Sequence, residues 1–278
     1  MKTLSVILFL CLFACKKQTA DGQPFMAPVS SLITAAPSEI SGITDSKINP
    51  GFLWAHEDGG NAAQLFLISH NGAVQKSIPI KGATNRDWED MWLSGNQIYL
   101  GDIGDNGMSM SDYFIYRFAE PSAGTDTIRQ VETIRFQYAD GAHDAEAFWV
   151  DFLTKDVFII TKRDAVAKIY KLSSPSVSIM NTATLAGSLS YTGVVGLAIS
   201  PDSKEVIVKT YAALHYYKVN SGQSILQALT TNSYQTVPYQ QEPQGEAVCF
   251  ARDGSGFYTL SEKPASAASV GLNFYKRN

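Results

Sequence analysis

Three glutamates recur along the chain beside short apolar segments, and their side chains are the first candidates for chemistry. They are Glu89, Glu146 and Glu246, and Asp90 directly follows the first of them. Carboxylate oxygens are the ligands that Ca²⁺ and Mg²⁺ prefer. Carboxylates that gather in one place also repel each other unless protons, cations or water intervene. If the fold brings these four residues together, they form a candidate site for a divalent cation.

Histidines and an aspartate near turns are candidates for acid–base catalysis. His56 and Asp58 lie in the run His56–Gly60, where a histidine and two acids could activate water. His143 lies just before Glu146 and is a further candidate general base. A plain turn at the end of a strand explains the same residues. The sequence therefore leaves open whether the protein is an enzyme.

A second group of side chains could bind a ligand around the glutamates. The run Gly101–Gly107 carries Asp102, Asp105 and Asn106, which could ligate calcium or a polyhydroxylated ligand, although its glycines and acids also suit a tight structured turn. Trp88 either packs between structural repeats or stacks on a ring of a ligand. Three cations could bind the ligand or neutralise the glutamates in a salt-bridge network: Arg163, Lys209 and Lys263.

The elements that must position these side chains form a repeat of about fifty residues. Each of five segments has a small or acidic start, a short apolar strand, a turn, a second strand that ends in polar residues, and a third strand rich in Tyr or Phe. The spacings between equivalent starts are 48, 57, 50 and 50 residues, taken at Ser41, Glu89, Glu146, Gly196 and Glu246. Fourth strands fit in the gaps, at 73–80, 132–138, 182–189 and 235–239.

Four antiparallel strands repeated in this way predict an all-β fold, a β-propeller of five blades. The last repeat ends at its third strand, so the N-terminal segment 28–34 is expected to supply the missing outer strand and close the ring. A six-bladed ring is the alternative if the segment 121–144 hides a degenerate blade. A β-sandwich with accidental regularity is a further alternative.

Strand direction predicts which side chains meet. The first two strands of a blade are antiparallel neighbours, so the start of the first and the end of the second lie on one face of the ring. Glu89, Asp90, Glu146 and Glu246 are therefore expected around the mouth of the central channel. The polar residues that end the second strands are expected to surround them.

Several runs resemble those of bacterial extracytoplasmic propellers, the broad group that includes NHL-repeat, SdiA-regulated and phytase-like propellers. The resemblance covers roughly residues 38–276 and implies the architecture, whereas these folds host hydrolases, lactonases and binding scaffolds alike. The runs that carry it are Asp87–Asp90, Gly101–Asn106, Ala145–Ala147, Ile199–Asp202 and Gly245–Ala247.

The N-terminus is predicted to be a targeting segment. An apolar run from Leu4 to Ala14 follows Lys2 and is too short to span a bilayer. The run Leu12–Cys15 resembles a bacterial lipobox, which implies cleavage before Cys15 and lipidation of this cysteine; a plain secretory peptide is the alternative. The expected organisation is a signal peptide at 1–14, a tether at 15–28 and one propeller domain at 29–278.

Composition narrows the function classes. The chain has 278 residues, a formal charge of −4 and 17% charged residues, without a basic cluster, so nucleic acid is excluded as a partner. We predict a lipid-anchored monomer of the bacterial cell envelope that binds a ligand or protein through an acidic funnel, around Ca²⁺ or Mg²⁺. A metal-assisted hydrolase of phosphoesters, esters or lactones and a purely structural module with a charge-paired channel are the alternatives.

Overall fold

The computed structural model describes residues 22–278, which fold almost entirely into antiparallel strands. The first strand is β1 (Val29–Ile33). The first full blade contains β2 (Ile40–Asp45), β3 (Phe52–Glu57), β4 (Gln64–Ser69) and β5 (Val74–Pro79). The second contains β6 (Trp88–Ser94), β7 (Gln97–Asp102), β8 (Tyr113–Ala119) and β9 (Glu132–Tyr138).

The remaining blades follow the same plan. The third contains β10 (Ala145–Val150), β11 (Val157–Thr161), β12 (Lys168–Leu172) and β13 (Asn181–Ser188). The fourth contains β14 (Val194–Ile199), β15 (Glu205–Thr210), β16 (Leu214–Lys218), a short helix α1 (Ile225–Thr231) and β17 (Gln235–Thr236). The fifth contains β18 (Ala247–Phe250), β19 (Gly256–Leu260) and β20 (Val270–Lys276).

The sheet order confirms a five-bladed propeller closed by its N-terminal strand. The last sheet runs β1–β20–β19–β18, and Val29 pairs with Phe274 while Ile33 pairs with Val270. The inner strands β2, β6, β10, β14 and β18 each contact the next around the ring, and β18 contacts β2. The six-bladed alternative is wrong, because the segment 121–144 contributes only β9, the outer strand of the second blade.

One pairing between blades was not predicted. The outer strand β13 of the third blade pairs in parallel with the outer strand β9 of the second, with Asn181 opposite Phe136 and Ala183 opposite Tyr138. The two blades therefore form one continuous eight-stranded sheet. The pattern within a single repeat carries no information about this pairing, because it joins the ends of two repeats.

Four of the five inner strands, β2, β6, β10 and β14, share a β-bulge near their start, and it positions two of the glutamates. Each strand has one extra residue relative to its partner, which bends the strand and changes the direction of that side chain. The extra residues are Ser41, Glu89, Glu146 and Val195. The fourth repeat was therefore aligned one residue too late, at Gly196, because a glycine after a bulge is hard to distinguish from the bulged residue by sequence.

Apolar side chains fill the spaces between adjacent blades in five separate clusters. One cluster, for example, joins the first and second blades around Trp54 and Trp88, and another joins the fourth and fifth around Phe25. Phe25 is only 1% exposed, and Pro24 accepts a backbone hydrogen bond from Asn278. The packed chain therefore includes residues 23–25, which precede the predicted boundary at residue 29.

The predicted signal peptide at 1–14 and the lipidation site Cys15 lie outside the described residues. Within residues 22–278, no helix is long and apolar enough to cross a bilayer.

Candidate functional site

Three glutamates from three different blades meet at one end of the central channel. Glu89, Glu146 and Glu246 each offer a carboxylate oxygen within 4.8 Å of the others. All three residues are at most 4% exposed. Glu89 and Glu146 are bulged residues, and the bulge changes the direction of their side chains. Glu246 directly precedes β18, whose pairing has no bulge, and reaches the same place from the segment before the strand. The convergence that strand direction predicted is confirmed, and we call these residues the inner triad.

One lysine neutralises part of the inner triad. Lys162 follows β11, and its ammonium contacts the carboxylate of Glu146 and lies 3.9 Å from Oε1 of Glu246. The hydroxyl of Tyr211 donates a hydrogen bond of 2.5 Å to the same oxygen of Glu246 and accepts one of 3.2 Å from Lys162. The neighbouring carboxylates outweigh the effect of burial and raise the pKa of Lys162, so this side chain is a stable cation.

A second acidic group shares Glu89 and lies closer to solvent. Asp58, Asp87 and Glu89 offer oxygens within 4.8 Å of one another, and the two aspartates are half-buried. We call this group the outer trio. Together with the inner triad it forms the acidic funnel, which contains five carboxyl groups: Asp58, Asp87, Glu89, Glu146 and Glu246.

The acidic funnel has fewer hydrogen-bond donors than its buried oxygens require. Oε2 of Glu146 and Oε2 of Glu246 are buried without a hydrogen-bond partner among the described residues. Burial, together with neighbouring carboxylates, raises the pKa of Glu89 and of Glu146 well above the usual range. Burial also raises the pKa of Glu246 to about 7 and that of Asp87 to about 6. Near neutral pH the arrangement therefore favours the uptake of protons or of a cation.

Asp90 does not belong to this cluster, although the sequence predicted it among the metal ligands. Its Oδ1 accepts a hydrogen bond of 2.8 Å from its neighbour Met91 N, and its Oδ2 accepts one of 3.4 Å from Phe148 N in the next blade. Side chains alternate along a strand, so the residue after the bulged Glu89 points between the blades. Asp90 connects the second and third blades.

The predicted cations also lie elsewhere. Arg163 forms an ion pair of 2.6 Å with Asp144, and Lys209 is fully buried against Glu242 at 2.6 Å. Among the described residues, Lys263 forms no ion pair within 4.0 Å, and its backbone N–H donates to Ser38. The salt-bridge network predicted for these three cations is therefore wrong, because the second strands place Lys162 on the axis instead.

The acidic side chains of Gly101–Gly107 accept hydrogen bonds that stabilise the turn. Asp102 accepts hydrogen bonds from Arg86 Nε at 3.1 Å and from Asp87 N at 2.9 Å. Asp105 accepts from Met110 N and from the Tyr113 hydroxyl. Asn106 accepts from Arg163. These side chains are occupied by the protein, which agrees with a structured turn and differs from an open ligand site.

Trp88 and the histidines are part of the core. The indole of Trp88 is 0% exposed and donates to the carbonyl of Thr84, so it offers no face to a ligand. His56 is also 0% exposed, and burial lowers its pKa to about 4. Both ring nitrogens of His143 lie within hydrogen-bond distance of the protein, at Asp164 and at Asp140 and Tyr170. Among the catalytic candidates, only Asp58 lies in the acidic funnel.

Sequence reasoning missed three site residues, namely one acid of the funnel and two side chains that contact it. Asp87 lies directly before the predicted Trp88, and Lys162 lies directly before the predicted Arg163. Tyr211 ends the equivalent second-strand cluster of the fourth repeat, after Lys209. The period of the repeat located all three clusters, but it did not show which of the adjacent side chains turns toward the axis.

A cavity of about 700 Å³ opens at the opposite end of the channel. Its lining mixes apolar side chains, such as Trp92 and Leu153, with polar ones, such as Asp45 and Arg252. Asp45, a buried acid at this end, accepts hydrogen bonds at both oxygens. Among the described residues, the acidic funnel combines converging carboxyl groups with buried oxygens that lack a partner, so it is the candidate functional site.

No protein-family model and no curated protein matches this chain. Solved structures that resemble it include the hydrazine synthase of Kuenenia stuttgartiensis, with 10% identity, a TM-score of 0.44, and coverage of 85% of this chain and 61% of that chain. A chain of a nidogen/laminin complex has 12% identity, a TM-score of 0.48, and coverage of 81% and 72%.

An auxiliary nutrient-binding protein from Bacteroides thetaiotaomicron VPI-5482 has 6% identity, a TM-score of 0.48, and coverage of 86% of this chain and 69% of its own. This protein spans only about three fifths of the length of the hydrazine synthase chain. The assignment of the propeller fold rests on the strand pairing described above, and the resemblance to NHL-type and related propellers stays a prediction.

Proposed function

We propose that this protein is a binding propeller whose acidic funnel holds a divalent cation, Ca²⁺ or Mg²⁺, and recognises its ligand or protein partner there. The observation that carries the proposal is the imbalance of charge. Five carboxyl groups lie together, and Lys162 is the one Lys or Arg ammonium or guanidinium within 4.0 Å of them among the described residues. Ionised carboxylates in such a place require a counter-charge.

The donor set suits a hard cation. Ca²⁺ binds six to eight oxygens at about 2.3–2.6 Å, so oxygens on opposite sides of the ion lie about 4.8 Å apart. The oxygens of both acidic groups fall within this separation. Because Asp58 and Asp87 are half-buried, a cation beside them would keep coordination positions open to solvent. Oxygen atoms of a ligand or partner would fill those positions.

A melting experiment tests this function. The protein is freed of metal with a chelator, and its melting temperature is measured as Ca²⁺ or Mg²⁺ is added. A cation at a hundred times its dissociation constant contributes about 2.7 kcal/mol, which is a rise of roughly 5–10 °C for a domain of this size. Glu89→Gln is expected to abolish the rise, because Glu89 belongs to both acidic groups.

Glu132→Gln is the matched control. Its carboxylate lies on the outer strand β9, is 53% exposed and pairs with Arg117. This variant is expected to keep the full response to the cation. If neither cation changes the melting temperature of the unaltered protein, the proposal is wrong, and the funnel is a structural cluster neutralised by Lys162 and bound protons.

We further propose that Cys15 anchors the propeller in the bacterial cell envelope. The support is the lipobox-like run before Cys15 and the polar residues after it. The acidic funnel would then face ligands of the extracytoplasmic space. Hydrolysis assisted by a metal gains no support from the histidines, since His56 is enclosed and His143 is occupied by hydrogen bonds.

A further inference from the structure

Resting on the proposed function, we infer that the cation binds in the outer trio Asp58–Asp87–Glu89, and that the ammonium of Lys162 stands where a second cation would bind in the inner triad. The two acidic groups share Glu89, so they are adjacent halves of one site. They differ in whether a side chain of the protein supplies a positive charge at short distance.

The ammonium group of Lys162 already supplies a positive charge to the inner triad. The Lys162 side chain is 13% exposed and contacts Glu146, with Glu246 at 3.9 Å. Its ammonium also lies 5.1 Å from the centre of the Tyr211 ring, and the Tyr211 hydroxyl joins it to Glu246. This geometry fixes the ammonium beside the oxygens that a metal ion would need. A divalent ion there would meet a positive charge at close range in a poorly solvated place.

The outer trio has no such charge. Within 4.0 Å of Asp58, Asp87 or Glu89, no Lys or Arg nitrogen is found in residues 22–278. The backbone N–H of Gly59 donates to Asp58 at 2.5 Å. Glu89 is 3% exposed, lies between the two acidic groups, and no described donor bonds to its carboxylate. A buried, unpartnered carboxylate aimed at two half-buried acids is the arrangement that a bound cation would complete.

Two glycines make room for the acids of the outer trio. A Cβ atom at Gly104 would overlap Oε1 of Glu89 and lie 2.6 Å from Cγ of Asp87. A Cβ at Gly59 would overlap Oδ1 of Asp87. Neither glycine has a positive φ, so close approach of the carboxylates explains these glycines better than backbone conformation does. The carboxylate of Asp87 therefore lies in a slot between two bare stretches of backbone.

Calcium titration of the full chain, freed of metal and followed by calorimetry, tests the location. Asp87→Asn is expected to weaken Ca²⁺ binding by at least about tenfold, as the loss of a metal-site group typically does. Glu146→Gln is expected to change it by less than about threefold, because Glu146 belongs only to the inner triad. The opposite order of the two effects would show that the cation binds in the inner triad and overturn the inference while preserving the proposed function. Absence of binding in the unaltered protein would overturn both.

A pair of glycine variants provides a test that removes no charge. Gly104→Ala is expected to weaken Ca²⁺ binding by at least about tenfold, since the new methyl group displaces Asp87 and Glu89. Gly107→Ala lies in the same turn, where the nearest atom to a Cβ is 3.4 Å away, and it is expected to bind like the unaltered protein. Circular dichroism confirms that both variants fold. Equal Ca²⁺ affinity of Gly104→Ala and Gly107→Ala would contradict the inference that close packing at Gly104 positions the carboxylates of the outer trio.

Replacement of the lysine tests the second half of the inference. Lys162→Met removes the ammonium from the inner triad, so a second Ca²⁺ is expected to bind there. An unchanged stoichiometry in this variant would show that Lys162 does not occupy a cation position. Lys204→Met is the matched control, because its side chain is 75% exposed and pairs only with Asp202.

Discussion

At the scale of single residues, the site is marked by clustered acids that lack a partner. Acids are common in this chain, and many of them accept hydrogen bonds or pair with a cation, as Asp102 does with Arg86 and Asp90 does with backbone amides. Glu146 and Glu246 each keep one buried oxygen without a hydrogen-bond partner. Oε2 of Glu120 also lacks one, but Glu120 belongs to no group of converging carboxylates among the described residues, so convergence and missing partners together distinguish the funnel.

The raised pKa values predict how stability depends on pH. Burial raises the pKa of Glu246 to about 7 from 4.5, so between these values the folded protein holds a proton that the unfolded chain has released. In a chelator, the free energy of unfolding should therefore fall as the pH rises from about 4.5 to about 7, by about 3 kcal/mol from Glu246. Urea unfolding at a series of pH values measures this change.

Two variants separate the contribution of Glu246 from the general effect of pH. Glu246→Gln should have a shallower slope, because its side chain stays neutral throughout. Asp87, Glu89 and Glu146, with their raised pKa values, keep a fall of the same sign in this variant. Glu132→Gln should keep the slope of the unaltered protein. A free energy of unfolding that rises over this window in metal-free buffer would refute the assignment of a raised pKa to Glu246.

At the scale of the elements, the β-bulge and the closing strand matter most. Four of the five inner strands have a bulge, and in β6 the bulged Glu89 faces the axis while the next residue, Asp90, contacts the third blade. The closing strand β1 completes the fifth blade by pairing with β20, so the two ends of the chain hold the ring together. Without this pairing, the fifth blade would expose the edge of β20.

Adjacent residues of the closing strand predict how much its packing stabilises the ring. Ile33 is 0% exposed and packs between the fifth and first blades, whereas its neighbour Leu32 is 65% exposed. Ile33→Ala should lower the free energy of unfolding by about 2–5 kcal/mol, and Leu32→Ala by less than about 0.5 kcal/mol. Chemical denaturation of both variants checks the difference. Equal losses would mean that the buried side chain of Ile33 does not stabilise the closure of the ring by β1.

At the scale of the whole molecule, the ring gives the channel two chemically different ends. One end gathers the acidic funnel from four blades, and the other opens into a cavity of about 700 Å³ with a mixed polar and apolar lining. The first residues of the packed chain lie beside its last residues, since the backbone N–H of Asn278 donates a hydrogen bond to the carbonyl of Pro24.

The proposed anchor predicts where the protein is found in a bacterial host. Unaltered protein should sediment with membranes, and Cys15→Ser should move to the soluble fraction because it lacks the acyl chains. Fractionation followed by immunoblotting measures the distribution. Cys249→Ser should behave like the unaltered protein, since Cys249 is buried in the fifth blade. Soluble, unanchored protein with Cys15 intact would contradict lipidation.

The sequence predicted the fold more completely than it predicted the details of the site. The fifty-residue period predicted five blades, and the incomplete last repeat predicted the closing strand that β1 provides. The same period predicted that Glu89, Glu146 and Glu246 converge. It misplaced the fourth repeat by one residue, at Gly196 where the bulged residue is Val195.

The sequence by itself determined the order of strands and the acidic character of one end of the channel, because both follow from spacing and from strand direction. Only the tertiary structure decided that Lys162 serves the glutamates in place of its neighbour Arg163, and that Asp87 joins them while Asp90 does not. For Glu89 and Asp90 the physical reason is that adjacent residues of a strand point to opposite sides, and the bulge at Glu89 changes that alternation. Asp87 and Lys162 lie just outside β6 and β11, where the path of the connecting segments decides which side chain reaches the axis.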